Sequence, residues 1–177
     1  MKLLMHMCCA PCSTYLVSSL RKDGINVTGL FYNPNIHPID EYQRRLDTVN
    51  EYSKIVDLDV RFIDDYMEDV WRNYNGVDDS RCKMCYSIRL DMAAKYAKEN
   101  GYDAFTSSLL VSPYQKHDLI KELGEKFANK YDVDFYYYDF RPYFREGQAM
   151  AREMNLYRQK YCGCIISYNE RIKHLNK

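Results

Sequence analysis

Seven cysteines fall into three tight groups along 177 residues: Cys8, Cys9 and Cys12; Cys82 and Cys85; Cys162 and Cys164. Scattered thiols would act as small buried hydrophobes. Three close groups with none left over point instead to metal binding, redox chemistry or both. A disulfide framework fits poorly, because the count is odd and the chain is long for a stapled scaffold.

Four thiolates are enough for a tetrahedral zinc or an iron–sulfur cluster. Cys9-Ala10-Pro11-Cys12 and Cys82-Lys83-Met84-Cys85 form two Cys-x-x-Cys pairs, a workable zinc site. Cys8, Cys9, Cys82 and Cys85 offer an adjacent pair plus a pair expected at a helix start. Adjacent cysteines bend with difficulty onto one small ion, whereas a cubane spreads its ligands, and this favours a cluster. Cys12 is then a ligand to a second metal or a spectator. In Cys162-Gly163-Cys164 the glycine permits a bend that brings the Cα atoms within disulfide reach, roughly 4.4–6.8 Å. So small a ring is strained, hence easily reduced and suited to cycling. Two further metal ligands, or inert thiols, are the alternative.

The elements that must position these groups alternate. Strands are expected at Leu3–Met7, Val27–Tyr32, Val60–Ile63, Ala104–Thr106 and Asp134–Tyr138. Helices are expected at Ser13–Lys22, Glu41–Ile55, Met84–Glu99 and Gln115–Phe127, and around Gln148 and Ile166. The segment from Tyr66 to Arg81 is least readable. Strand–helix alternation predicts an α/β fold with a mostly parallel sheet. In such sheets ligands bind beyond the carboxyl ends of the strands. Those ends carry Cys8-Cys9-Ala10-Pro11-Cys12, Asn33-Pro34-Asn35, Asp64-Asp65, Thr106-Ser107-Ser108 and Asp139-Phe140-Arg141. Cys82 and Cys85, placed at a helix start, would have the dipole's positive end to favour thiolate. The first turn lacks a glycine-rich phosphate loop.

Composition bounds the rest. Hydrophobic residues make up 46% and charged residues 28%, with 25 basic against 25 acidic side chains. Disorder and a global pull on polyanions are both excluded. No stretch reaches the roughly 18 apolar residues of a membrane span, and the N-terminus lacks a signal-peptide pattern. One domain over residues 1–177, cytoplasmic and without a membrane partner, is expected.

Cys8-Cys9-Ala10-Pro11-Cys12-Ser13, Tyr32-Asn33-Pro34-Asn35-Ile36-His37-Pro38, Arg81-Cys82-Lys83-Met84-Cys85-Tyr86, Ser112-Pro113-Tyr114-Gln115 and Tyr157-Arg158-Gln159-Lys160-Tyr161-Cys162-Gly163-Cys164 closely resemble the cobalamin-independent epoxyqueuosine reductases of QueH type. The resemblance runs from the first strand to the last helix. It implies a Rossmann-like three-layer fold related to the adenine-nucleotide alpha-hydrolase-like group. It also implies removal of the epoxide oxygen from epoxyqueuosine at the tRNA wobble position, the last step of queuosine formation. By motif, Cys8, Cys9, Cys82 and Cys85 match the family's 4Fe–4S ligands, and Cys162 and Cys164 its redox-active disulfide pair. An additional mononuclear iron is implied, with Cys12 and Asp139 as candidate ligands. The implied partners are tRNA carrying epoxyqueuosine in the anticodon and an unidentified electron donor.

Epoxide-to-alkene conversion consumes two electrons and two protons and releases water. The Cys162/Cys164 dithiol can supply both electrons; Asp139, His117 or a rim tyrosine is the expected proton donor. Arg141, Arg145, Arg152, Arg158 and Lys160, beside Tyr143, Tyr157 and Tyr161, suit an anticodon loop or a solvated helix face equally. Tyr136-Tyr137-Tyr138 reads as half-buried strand, His6 as core, His37 as reaching the rim and His174 as solvent-facing; Trp71 carries no argument. Two other classes remain open: a zinc-stabilised RNA-binding domain on Cys9, Cys12, Cys82 and Cys85, and a general thiol–disulfide oxidoreductase on Cys162 and Cys164.

Overall fold

The computed structural model describes residues 1–177, apart from the side chains of Asp78 and Asp79. Five parallel strands form one sheet in the order β3-β2-β1-β4-β5. The strands are β1 (Lys2–His6), β2 (Asn26–Phe31), β3 (Val60–Phe62), β4 (Ala104–Ser107) and β5 (Asp134–Phe135). The helices are α1 (Ala10–Lys22), α2 (Ile39–Ile55), α3 (Glu68–Arg72), α4 (Asp78–Glu99), α5 (His117–Tyr131), α6 (Phe144–Glu153) and α7 (Ile165–Leu175), with short 3-10 turns at Ser108–Val111 and Arg141–Tyr143.

Leu3, Leu4 and Met5 of β1 are fully buried because helices cover both faces of a central parallel strand, which is why that strand reads as an unbroken apolar run. Right-handed crossovers decide which helix lies where. The chain moves from β1 to β2 in one direction through α1, then back past β1 to β4 through α4 and on to β5 through α5. Helices α1 and α4 therefore flank opposite faces, α1 packing against α6 and α4 against α5. The reversal of direction falls between β1 and β4, the place where such sheets open a crevice. Among the described residues no helix is long and apolar enough to cross a membrane.

Two expectations need correction. Strand β5 ends at Phe135, not Tyr138. The Tyr136 N–H still reaches Phe105 O at 2.8 Å, but β4 runs out two residues later and the chain leaves the sheet. Tyr137 then packs on His117 of α5 and Tyr138 on Phe140. Helix α4 begins at Asp78, inside the segment that was hardest to read, rather than at Met84. The Arg81 N–H already bonds Val77 O, so the free amides and the dipole's positive end lie before Cys82. The helix-start argument for thiolate character at Cys82 and Cys85 therefore fails, and burial in fact pushes the Cys85 thiol up.

Candidate active site

The thiols meet at the crevice between β1 and β4. Beyond β1 the Cys8 N–H donates to Ser108 Oγ, just past β4, at 2.9 Å, and Ser108 Oγ donates to Cys8 Sγ at 3.2 Å. Cys9 stays extended (φ −166°, ψ 165°) and caps α1, its Sγ accepting from the Cys12 N–H at 3.3 Å. This turn swings three sulfurs together: Cys8 and Cys9 Sγ lie 3.9 Å apart, and the Cys8, Cys9 and Cys12 sulfurs all fall within 4.8 Å of one another. The expected difficulty of converging two adjacent cysteines is thus overturned. Sulfurs on a tetrahedral ion with 2.3 Å bonds lie about 3.8 Å apart, so the triad has a metal's spacing.

Cys8 and Cys12 open onto a cavity of about 400 Å³, where Cys82 and Cys85 of α4 and Cys162 and Cys164 of the C-terminal loop also stand. Three segments separated by most of the chain's length deliver six sulfurs to one space. Cys9 is buried beside it, its Sγ accepting from Nε2 of the cavity residue Gln159 at 2.9 Å. The donor set is soft and convergent, which suits iron or zinc with thiolate ligands. Hydrogen bonds from Cys12 and Cys9 hold the Cys8 thiol well below its ordinary pKa; burial raises that of Cys9, and the neighbouring Cys8 raises that of Cys12.

The third pair is built differently. Cys162 is exposed and Cys164, the N-cap of α7, is buried; both thiols reach one hydroxyl, Ser167 Oγ, at 2.8 and 3.4 Å. A hydrogen bond from Cys162, aided by Ser167, brings the Cys164 pKa down to about 5, while the same bond pushes Cys162 up. The pair is thus one thiolate and one thiol, the arrangement from which a dithiol reacts.

A polar clamp holds this loop. Arg45 of α2 bonds Glu41 Oε1 at 2.9 Å, Cys162 O at 3.2 Å and Tyr161 O at 2.9 Å. The Tyr157 hydroxyl closes on the same Glu41 carboxylate, and the Tyr161 hydroxyl donates to His37 O. Gly163 sits at φ +132°, and a Cβ there would lie 3.1 Å from Arg45 Nη1. Gly163→Ala is therefore expected to cost about 2 kcal/mol, read as a lower urea midpoint with unchanged slope.

His37 fixes the other side. Its N–H bonds Gly163 O at 2.7 Å, its Nδ1 accepts from the Ile165 N–H at 2.9 Å, and its Nε2–H therefore donates to Pro34 O at 2.9 Å. It is buried behind the rim rather than on it. Burial lowers its pKa below the ordinary 6.5. A depressed folded pKa means stability is fully present above 6.5 and is lost as pH falls through the folded value. Protonation also ends the Ile165 bond. Urea stability is expected to drop with acid below pH 6.5, with a shallower drop in His37→Phe, which starts about 2 kcal/mol less stable.

Other expected residues fall elsewhere. Asp139 does not line the cavity; Arg141 grips both carboxylate oxygens at 2.8 and 2.7 Å and holds its pKa to about 2, so it is no proton source at neutral pH. His117 bonds the Tyr137 hydroxyl at 2.9 Å, also away from the cavity. His6 is core, its pKa brought to about 4 by burial and then by Arg89, and His174 is exposed. Of the basic series, Arg145, Arg152, Arg158 and Lys160 are exposed, and Lys160 reaches the cavity. Its aromatics are engaged internally, Tyr143 stacking on Tyr15 at 4.4 Å, while the mouth carries Tyr114, 84% exposed, edge-on to Phe144 at 5.7 Å.

Arg45, Trp71 and Arg89 are among the cavity residues that were not anticipated. Arg89 had a readable signal, since Cys82, Cys85 and Arg89 are spaced i, i+3, i+7 on one helix face. It is buried and donates to Cys85 Sγ at 3.2 Å. Burial opposes its charge, but Cys85 and Cys8 outweigh that and hold its pKa above the ordinary value.

A family model described as "Epoxyqueuosine reductase QueH" matches residues 3–170. The Dehalococcoides mccartyi protein of that name is 37% identical over 171 residues, covering 96% of this chain and 94% of its own length. The Thermotoga maritima protein of that name is 33% identical over 178 residues, covering 95% and 91%. The U34-tRNA thiolase NcsA from Methanococcus maripaludis, solved with its 4Fe-4S cluster, superposes with a TM-score of 0.56 at 15% identity, covering 90% of this chain and 58% of that one. That likeness shows a shared α/β fold built on a parallel sheet with helices on both faces, the architecture expected from the sequence.

Proposed function

We infer, for a chain that belongs to the epoxyqueuosine reductase QueH family, an oxidoreductase that removes the epoxide oxygen of epoxyqueuosine in tRNA and leaves the alkene of queuosine. The observation that carries this reading is the delivery of Cys8, Cys12, Cys82, Cys85, Cys162 and Cys164 to one cavity of about 400 Å³. Cys8, Cys9, Cys82 and Cys85 are the proposed cluster ligands, and Cys12, beside Cys8 and Cys9, a ligand to the additional iron. When bound, these groups supply one-electron transfer and a Lewis acid for the leaving oxygen.

The residues account for the rest of the balance. Cys162 as a thiol and Cys164 as a thiolate carry two electrons and one proton, and the second proton comes from solvent water. Their S–S bond forms as the two C–O bonds of the epoxide are replaced by C=C and water. Cys164 is the thiolate, and the Cys162 thiol is the proton source nearest to it. Cys162 is exposed, so an external donor can reach it to restore the dithiol. Arg45 and His37 keep the pair facing the cavity, and Tyr114 with Phe144 at the mouth offers the stacking surface that an unstacked anticodon base requires. A tRNA substrate places the enzyme in the cytoplasm.

Cys9 and Cys12, whose sulfurs lie within 4.8 Å of one another, with Cys82 and Cys85 also suit zinc in a non-catalytic RNA-binding domain. Nucleoside analysis of tRNA from cells lacking this gene separates the two. The reductase predicts accumulated epoxyqueuosine; unchanged queuosine would refute it.

A further inference from the structure

Arg89 is a buried cation, 4% exposed, that makes no ion pair with any carboxylate among the described residues. Its partners are Cys85 Sγ and Cys85 O, each at 3.2 Å, and the face of Tyr86 at 5.5 Å. An uncompensated buried charge costs several kcal/mol. Sulfur can compensate it only as an anion.

A second unmet donor lies on the same wall. Trp71 of α3 is fully buried, lines the cavity, and its indole Nε1 has no hydrogen-bond acceptor. It packs in one apolar cluster with Cys164 and Ile165, with Cys85 against it. A buried N–H without an acceptor costs about 1–3 kcal/mol. Two helices thus hold a charged donor and a neutral donor beside one sulfur, and neutral thiols leave the charge uncompensated and the indole N–H unmet.

We propose that Arg89 and Trp71 form the counter-charge of the thiol basin: Arg89 neutralises anionic sulfur at Cys85, and the Trp71 indole N–H donates to that sulfur or to inorganic sulfide beside it. Resting on the reductase reading, this makes the two residues the ones that ease reduction of the iron–sulfur group. An electron added to an anionic group is opposed by its charge, and a buried cation with hydrogen-bond donors offsets that opposition.

The test uses the full chain, purified anaerobically and loaded with iron and sulfide, as wild type, Arg89→Met, Arg89→Lys and Trp71→Phe. Redox titration followed by electron paramagnetic resonance is expected to show Arg89→Met at a more negative midpoint, by tenfold or more in the one-electron equilibrium, which is 59 mV. Trp71→Phe shifts the same way by less, and Arg89→Lys falls between. Zn²⁺ affinity of the metal-free reduced protein, read by competition with a chromophoric chelator, is expected to weaken about tenfold in Arg89→Met. Wild-type potentials in variants with full iron and sulfide, or an unchanged zinc affinity, would overturn the proposal. Should Arg89→Met fail to fold or load, Arg89→Lys and Trp71→Phe carry the same comparison. A wild-type protein that takes up zinc but no iron and sulfide would refute the reductase reading, and the zinc series would still decide this one.

Discussion

Replacing Cys164 with serine is expected to end multiple turnover on epoxyqueuosine-containing tRNA while iron, sulfide and visible absorbance stay at wild-type levels. The loss should be at least about a thousandfold. Cys164 is the thiolate of the pair, poised by Cys162 and Ser167 and capping α7. A serine hydroxyl fills the cap and keeps a hydrogen bond to Ser167, but it cannot form an S–S bond. Cys162→Ser should fail equally, because the balance needs both sulfurs. The measurement is liquid chromatography of tRNA nucleosides with time, and sustained turnover in either variant would remove the dithiol from the mechanism.

Cys85→Ala is expected to abolish stable iron and sulfide uptake, whereas Cys12→Ala should keep cluster absorbance and lose only the additional iron. The contrast follows from position. Cys85 lines the cavity from α4, where its neighbour one turn back, Cys82, is itself a proposed ligand and cannot serve twice; Cys12 has Cys8 and Cys9 beside it. Removing Cys85 also strips Arg89 of that sulfur acceptor and leaves it the residue-85 carbonyl and the Tyr86 face. The metal-free Cys85→Ala protein should therefore lose about 1.5–3 kcal/mol of stability, the worth of a hydrogen bond to a charged group. Iron and acid-labile sulfide assays with urea melts check both parts; equal cluster content in the two variants would contradict the ligand assignment.

What could be read from residue order was local. Continuous apolar runs marked β1, β2 and β4, and apolar spacing marked α2 and α5, because burial sets those periods. The Tyr136-Tyr137-Tyr138 run misled, since β-propensity says nothing about whether the neighbouring strand is long enough to pair with. The start of α4 was hidden by a polar first turn. The three thiol groups were visible by type, and their meeting followed from the rule that sites gather beyond the strand ends at the switch in strand order. The convergence of Cys8 and Cys9 was not, because it depends on the extended Cys9 backbone entering α1.

The clamp on the C-terminal loop was out of reach for a different reason. Arg45 contacts Cys162, and His37 contacts Ile165, across more than a hundred residues. No local pattern reports such pairs. Asp139 was plausible by its place at a strand end, and only coordinates reveal that its own neighbour two residues on, Arg141, neutralises it. Trp71, without periodic company, became informative only when its N–H was found buried with no acceptor.

The most direct test of the account is incubation of the anaerobically purified, iron- and sulfide-loaded protein with tRNA bearing epoxyqueuosine and a chemical reductant, followed by mass analysis of the wobble nucleoside. The account predicts a product lighter by one oxygen atom, formed over several turnovers. An intact epoxide in the presence of fully loaded protein would contradict it.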